Sequence, residues 1–259
     1  MHYEVCCSGP PVVFMHEAIA DSRMWEPQWV SFAGRHRLVR MDLAGFGRTP
    51  IDRLPVTHAR DVVDLLDALE ISAACLVGAS LGGRVALEVA VARPDLVQAL
   101  VLVDAGLPGV EWSETVRAYG AAEDEAVTRG DLTAATELNL RMWVDGPRRG
   151  PEDVDPVVRA TVAEMTHRAL ELQAPHWERL GEDLLVPDVA ERLDEVRAPT
   201  LVVVGDEDVE DMHMLAKRFA AEIPDARLAT IAGAAHVPSL EQPEAFDTVV
   251  LDFLADVVG

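Results

Sequence analysis

Short apolar runs alternate with helical patterns along most of this chain. Several of the runs are nearly continuous stretches of Val and Leu, as in strands that are buried on both faces of a sheet. An alternation of this kind predicts repeated strand–helix–strand units and an α/β fold with a mostly parallel, doubly wound sheet. We predict strands over residues 3–7, 12–15, 38–41, 74–77, 99–103, 201–204 and 227–231.

The alternation stops between residues 106 and 197, where helical patterns continue without a strand-like run. Asp155 followed by Pro156 is typical of a helix start, because the aspartate can cap the helix and proline suits its first position. Gly130 and Gly150 indicate breaks between helices. We therefore predict an α/β core formed by residues 1–105 and 198–259, with a helical cap inserted at residues 106–197.

The composition excludes several classes of function. The 45 acidic and 22 basic side chains give a formal net charge of −23, which would repel nucleic acids and anionic membrane surfaces. No apolar run approaches the roughly 20 residues of a membrane span, and no signal peptide is apparent. The three cysteines show no metal-ligand spacing and no disulfide framework, and Cys6 and Cys7 are expected on opposite faces of a strand. We expect a cytoplasmic protein that acts on a small molecule, without a metal or another cofactor.

The most informative stretch is Gly-x-Ser-x-Gly at residues 78–82, which follows an apolar run and precedes a helical pattern. This is the context of a nucleophile elbow, a strained turn that lifts the serine hydroxyl above the sheet. Gly78 and Gly82 would allow the close approach of strand and helix. The pattern predicts Ser80 as the nucleophile. It also places the N–H of Leu81 at a helix N-terminus, where it can stabilise an oxyanion.

A serine hydroxyl needs a base within hydrogen-bond reach, and with this elbow the chain order is serine, acid, histidine. His236 lies in the loop after the last predicted strand, where the catalytic groups of open α/β sheets gather. The loop after the preceding strand contains Asp206, Glu207 and Asp208. We predict Asp208 as the acid. Asp206 is the alternative, although its place directly after a glycine suits a turn, and Asp104 is a third candidate.

Together these motifs resemble the α/β-hydrolase superfamily over essentially the full chain. Within it, the chain is most similar to bacterial 3-oxoadipate enol-lactonase-like hydrolases and the small esterases and perhydrolases around them. The matching segments are residues 9–13, Asp21 with Met24, Trp25 and Gln28, residues 42–49, residues 78–83, Gly205 with Asp208, residues 233–238 and residues 240–244.

The resemblance implies a mechanism. Ser80 attacks a carbonyl group, His236 takes the serine proton, and Asp208 holds the imidazole in the correct tautomer. An acyl-enzyme forms, and water hydrolyses it. The resemblance also implies a second oxyanion donor, which by position is the backbone N–H of Ala18.

Glu17 departs from the family pattern, which usually has a small residue at this position. A carboxylate beside the oxyanion hole would oppose the developing negative charge, so we expect its side chain to turn outward or to pair with an arginine. The alternative is that Glu17 reaches the pocket and selects a substrate with a polar or cationic group.

The inserted helices are expected to roof the active site. Candidate pocket residues are Trp25, Met142, Trp143, His176 and Trp177, although Trp and Met at this density also suit helix packing. A largely apolar pocket favours a small or medium-sized neutral carboxylic ester or lactone. Lyases, perhydrolases, C–C hydrolases, cofactor-free oxygenases and non-catalytic receptors are the alternatives on this fold, and the complete set of serine, acid and histidine argues against a receptor.

Overall fold

Seven strands form one sheet in the computed structural model, which describes residues 1–258. They are β1 (His2–Cys6), β2 (Pro11–Met15), β3 (Arg37–Asp42), β4 (Ala74–Ala79), β5 (Val97–Val103), β6 (Thr200–Gly205) and β7 (Ala226–Ile231). Their order is β1-β3-β2-β4-β5-β6-β7, and every neighbouring pair is parallel except β1 with β3. The predicted mostly parallel α/β sheet is confirmed.

Helices cover both faces of this sheet because successive strand residues point to opposite sides. Val13 and Met15 of β2 enter one hydrophobic core, whereas Val12 and Phe14 enter the other. None of the described helices is long and apolar enough to cross a membrane. The helices are α1 (Glu26–Ser31), α2 (His58–Ala68), α3 (Leu81–Ala92), α4 (Glu114–Thr128), α5 (Leu132–Asn139), α6 (Pro156–Gln173), α7 (Glu210–Glu222), α8 (Pro238–Glu241) and α9 (Pro243–Val258).

The long connection between β5 and β6 contains α4, α5 and α6 and forms none of the strands of the sheet. Asp155 caps α6, since its carboxylate accepts a hydrogen bond from Val157 N at 2.7 Å. The six residues after α5, Leu140–Asp145, form one turn of π-helix. Backbone hydrogen bonds from Val56 N to Gly181 O (2.9 Å) and from Asp183 N to Val56 O (2.8 Å) tie the end of this connection to the loop before α2.

The two neighbouring cysteines differ from the sequence-based expectation. β1 ends at Cys6, and Cys7 follows it with a φ of 68°, in the left-handed region. The chain reverses its side-chain alternation at this point, so the two sulfur atoms lie 2.7 Å apart. The prediction of opposite faces was wrong because the strand is one residue shorter than the apolar run indicates.

Candidate active site

Ser80 lies on the tight turn between β4 and α3, with a φ of 46° and a ψ of −105°. A non-glycine residue in this region is strained, and such strain persists where the surroundings hold it in place. Here the surroundings require glycine on both sides. A Cβ atom at Gly78 would lie 2.2 Å from the carbonyl oxygen of Gly82, and one at Gly82 would lie 2.4 Å from that of Met15. The turn therefore presents Ser80 at the carboxyl end of the sheet.

Two backbone N–H groups near Ser80 donate no hydrogen bond to any acceptor among residues 1–258. They belong to Leu81, the first residue of α3, and to Ala18, in the loop after β2. Gly82 N donates to His16 O at 3.0 Å, which fixes this loop against the start of α3. Free N–H groups held in this way can stabilise an oxyanion. The assignment of both residues as oxyanion donors stays a prediction.

His16 holds the same loop from the other side, and the sequence reasoning assigned it no role. Its Nε2 accepts a hydrogen bond from Leu43 N at 2.9 Å, so the ring proton is on Nδ1, which donates to Glu17 O at 2.8 Å. Burial lowers the pKa of His16, in agreement with a neutral ring. The imidazole is thus a structural link between two loops.

His236 and Asp208 form a close pair at the ends of the last two strands. His236 Nδ1 lies 2.7 Å from Asp208 Oδ2, and both side chains are buried. The other carboxylate oxygen of Asp208 accepts a hydrogen bond from Val209 N at 2.7 Å. Burial alone would lower the pKa of His236, but the Asp208 carboxylate outweighs it and raises the pKa above its ordinary value. This arrangement leaves Nε2 of His236 available as a base.

The alternative acids have other contacts. Asp206 Oδ1 accepts a hydrogen bond from Gly233 N at 2.6 Å, so it joins two loops. Asp104 Oδ1 accepts from Gly205 N at 3.1 Å, whereas its Oδ2 is buried without a partner in the described chain. Burial and the neighbouring Asp208 carboxylate raise the pKa of Asp104 well above its ordinary value.

Asp104, Asp208 and His236 bring their ligand atoms within 4.8 Å of one another. The 2.7 Å separation of Asp208 Oδ2 and His236 Nδ1 is that of a direct hydrogen bond. The proton of this bond occupies the Nδ1 lone pair that a metal ion would need. The donor set therefore suits a proton better than a metal.

Glu17 is neither turned outward nor paired with an arginine, so that expectation was wrong. The side chain is completely buried, and neither carboxyl oxygen has a hydrogen-bond partner among residues 1–258. Burial, with smaller contributions from Asp208 and Glu241, raises the pKa of Glu17 to about 8, against a lowering effect of His236. A neutral carboxyl group at pH 7 does not oppose negative charge on an oxyanion, which removes the conflict that the sequence presented.

Ser80 borders two cavities. One of about 230 Å³ also contains His236 and Ala18, and one of about 410 Å³ extends over Leu81 and Arg84. The larger of the two has mostly apolar walls from Leu107, Pro108, Trp112, Val116, Leu184 and Met212. Ser80 thus borders two cavities that could each hold one part of a substrate.

The predicted pocket residues divide into two groups. Trp143 lines both cavities, and its ring packs against His236 at 4.6 Å between centroids, while Trp177 lines the smaller cavity. The residues that line neither cavity are Glu17, Trp25, Met142 and His176. Trp25 is completely buried between Phe14 and Phe246, Met142 packs against the core, and His176 lies half-buried in a 3-10 helix.

The smaller cavity is more polar than the sequence predicts. Its wall includes Tyr119 and Glu123 of α4, Asn139 of α5 and Gln173 of α6, none of which the sequence reasoning selected. Tyr119 and Glu123 are one helical turn apart, which was the only available signal. No lysine or arginine is among the described residues that line this cavity.

A still larger cavity of about 870 Å³ lies elsewhere, between the long connection and the β3 side of the core, and contains neither Ser80 nor His236. Its arginines are already paired with carboxylates. Arg23 lies 2.8 Å from Asp21, and Arg159 lies 2.9 Å from Asp145. Size alone therefore does not identify the reactive site.

Comparisons with known proteins agree with the α/β fold described above. The family described as "Alpha/beta hydrolase family" matches residues 5–249. "Putative carbamate hydrolase RutD" of Azorhizobium caulinodans is 29% identical over 99% of this chain and 96% of its own length. "3-oxoadipate enol-lactonase 1" of Acinetobacter baylyi is 25% identical over 96% of this chain and 90% of its own length. The solved structure of MenH from S. aureus has a TM-score of 0.82 at 21% identity, covers 100% of this chain and 99% of its own, and is similar in fold.

Proposed function

The chain is an enzyme of the alpha/beta hydrolase family, and we propose that it hydrolyses a small or medium-sized carboxylic ester or lactone through Ser80, His236 and Asp208. The observation that carries the proposal is the buried contact of 2.7 Å between His236 Nδ1 and Asp208 Oδ2, in a site that shares a cavity with Ser80. The enol-lactonase relative, which also bears out the resemblance stated from the sequence, supports the same reaction class.

In the first step the Ser80 hydroxyl attacks the substrate carbonyl carbon while His236 Nε2 takes the hydroxyl proton. Asp208 stabilises the imidazolium that forms and keeps the proton of Nδ1 in place. The N–H groups of Ala18 and Leu81 donate to the oxyanion of the tetrahedral intermediate. His236 then gives its proton to the leaving oxygen, and an acyl-Ser80 ester remains.

In the second step water attacks the acyl group, with His236 again as the base. The same two N–H groups stabilise the second oxyanion. The carboxylic acid leaves and Ser80 regains its proton from His236. Over one cycle the original Ser80 proton leaves with the alcohol and a proton from water replaces it, so Ser80 and His236 regain their starting protonation states and no external oxidant or reductant is needed.

The walls of the two cavities support a neutral substrate. The smaller cavity has no lysine or arginine among its described residues, so a carboxylate on the substrate would find neither of these cations there. Arg84 borders the larger cavity but is already engaged, at 2.5 Å, with both Glu88 and Glu182. We further propose that residues 106–197 act as a cap, because α4, α5 and α6 provide most of the wall opposite Ser80.

A carbamate is the second candidate substrate, and the name of the Azorhizobium relative supports it. Its carbonyl carbon is attacked by the same nucleophile, and it differs by a nitrogen attached to that carbon. The N–H of a carbamate would need an acceptor in the site, and the smaller cavity contains several oxygen acceptors. Ester, lactone and carbamate panels separate the two candidates.

The first test is hydrolysis of p-nitrophenyl acetate and butyrate by the purified protein and by its Ser80→Ala variant. We expect turnover by the wild type and a loss of at least roughly a thousandfold in kcat/KM for the variant. Unfolding by urea, followed in parallel, controls for a folding defect. Equal rates for both proteins would overturn the proposal, because hydrolysis would then not depend on Ser80.

A further inference from the structure

Three side chains from two helices meet on the wall of the smaller cavity. The hydroxyl oxygen of Tyr119 lies 2.7 Å from Asn139 Oδ1 and 3.1 Å from Glu123 Oε2. Asn139 Nδ2 lies 2.5 Å from Glu123 Oε1. The three groups thus form a closed ring of polar contacts, which borders the same space as Ser80.

The orientation of the Asn139 amide is fixed from outside the ring. Its nitrogen also lies 2.9 Å from the carbonyl oxygen of Ala135, one turn earlier on α5. A flipped amide would place two oxygens against each other at this contact. Both protons of Nδ2 are therefore committed, one to Ala135 and one to Glu123, and the amide oxygen faces Tyr119.

A count of protons then fixes the state of Glu123. The Tyr119 hydroxyl has one proton, but it contacts the oxygens of both Asn139 and Glu123. If Glu123 were ionised, one of these two contacts would have no proton. If Glu123 is a neutral acid, it donates to Tyr119, Tyr119 donates to Asn139, and Asn139 donates to Glu123.

The surroundings agree with this count. Burial raises the pKa of Glu123, although the hydrogen bonds from Asn139 and Tyr119 act in the opposite direction. Among residues 1–258 no arginine, lysine or histidine forms an ion pair with Glu123. A half-buried carboxylate without a cation would be costly, and the neutral acid avoids this cost.

The closed ring leaves the cavity with acceptors but few donors. The polar protons of the three side chains are all used, either within the ring or by Ala135, so Glu123 offers only lone pairs to a ligand. Gln173, which also lines the cavity, uses one N–H of Nε2 to donate to Gly45 O at 3.1 Å. The indole N–H of Trp177 is engaged with Asp124 Oδ1 at 2.8 Å.

We propose that neutral Glu123, held by Tyr119 and Asn139, is a specificity-determining residue that selects substrates with a hydroxyl or N–H donor on the part that enters the smaller cavity. This inference rests on the proposed function, because it assumes that Ser80 is the nucleophile. A substrate with only acceptor atoms in the smaller cavity would place its lone pairs against those of Glu123. A substrate carboxylate would be repelled by the same lone pairs.

Three p-nitrophenyl esters of nearly equal shape test the proposal: butyrate, 3-hydroxypropanoate and methoxyacetate. The nitrophenyl group suits the larger, apolar cavity beside Trp112, which leaves the smaller cavity to the acyl chain. The butyrate ends in a methyl group, and the hydroxypropanoate has a hydroxyl donor at that place. The methoxyacetate has only an acceptor, an ether oxygen one position closer to the carbonyl. Each kcat/KM is divided by the rate of alkaline hydrolysis of the same ester, which removes intrinsic reactivity.

We expect the wild type to prefer the hydroxypropanoate to the methoxyacetate by about five- to tenfold, the range of one neutral hydrogen bond. Glu123→Gln keeps the ring, because its amide donates to Tyr119 and accepts from Asn139, but it adds a spare N–H. We therefore expect this variant to lose most of the preference by gaining rate on the methoxyacetate. Tyr119→Phe, which opens the ring, should also reduce the preference.

The outcomes separate the two proposals. Hydrolysis that depends on Ser80, with no preference for the donor ester or with the same preference in Glu123→Gln, overturns the inference and leaves the proposed function intact. Absence of Ser80-dependent hydrolysis of all three esters overturns both. The infrared difference spectrum between wild type and Glu123→Gln at pH 7 gives a readout besides activity. If the substitution removes the band of a protonated carboxyl group, the neutral state of Glu123 is supported. If it removes the bands of a carboxylate, the neutral state is contradicted.

Discussion

Three buried carboxyl groups, those of Glu17, Asp104 and Asp208, lie near the imidazole of His236. They cannot all be ionised at this separation, because like charges in a buried site raise each other's pKa. Asp208 is the one whose two oxygens contact the imidazole and a backbone N–H. The other two are thus expected to hold their protons at neutral pH.

Asp104 can be tested by replacing a neutral acid with a neutral amide. Its buried Oδ2 has no partner in the described chain, and burial together with the nearby Asp208 carboxylate raises its pKa, which favours the neutral acid. We expect Asp104→Asn, which still donates a hydrogen bond, to change kcat/KM by no more than about threefold. Asp208→Asn should lower kcat by roughly 10⁴-fold, because it disturbs the imidazole tautomer. Equal losses in the two variants would mean that Asp104 acts as a charged group.

Glu17 should make the protein less stable as the pH rises. Its pKa is about 8 in the folded chain and 4.5 as the ordinary value, so between these pH values the folded chain binds the additional proton. Stability therefore falls with increasing pH over this range, and the penalty at pH 7 is on the order of 3 kcal/mol. We expect the free energy of unfolding of Glu17→Gln, relative to wild type, to increase from pH 5 to pH 8 in urea titrations. A difference that stays constant with pH would show that Glu17 does not titrate in this range.

At the level of elements, the sequence predicts what depends on local pattern. Every predicted strand is present with its ends shifted by at most two residues, because buried parallel strands are Val- and Leu-rich runs with few alternatives. The helix starts at Pro156 and Pro243 also follow from local signals, a capping aspartate in one case and a proline in both. The loops that carry Ser80, Asp208 and His236 could then be placed by chain order alone.

Elements whose form depends on distant contacts could not be predicted in this way. The π-helical turn Leu140–Asp145 places Trp143 so that its carbonyl oxygen accepts a hydrogen bond from His236 N at 3.1 Å. No local signal selects a π-turn over an α-turn, although such turns recur at functional sites. The meeting of Tyr119 and Glu123 with Asn139 likewise depends on how α4 packs against α5. For the same reason the sequence could not indicate which polar side chains line the smaller cavity.

At the level of the whole molecule, the excess of acidic residues should reduce stability at low ionic strength. The formal net charge is −23, and most ion pairs, such as that of Arg129 with Glu125, lie on the surface. Exposed pairs contribute about 0–1 kcal/mol each, whereas the unpaired negative charges repel one another over the whole surface. Salt screens attraction and repulsion alike, so the sign of its effect on stability shows which of the two is larger.

We expect the repulsion to be larger, and therefore the Tm at pH 8 to rise by a few degrees between about 10 mM and about 150 mM NaCl. Over this range the screening length falls from roughly 30 Å to roughly 8 Å, which covers most distances between surface charges. Measurement at a pH closer to the sequence pI of about 4.6 is the control, since the net charge is smaller there and the rise should shrink. A Tm that falls with salt at pH 8 would mean that the surface ion pairs outweigh the excess negative charge.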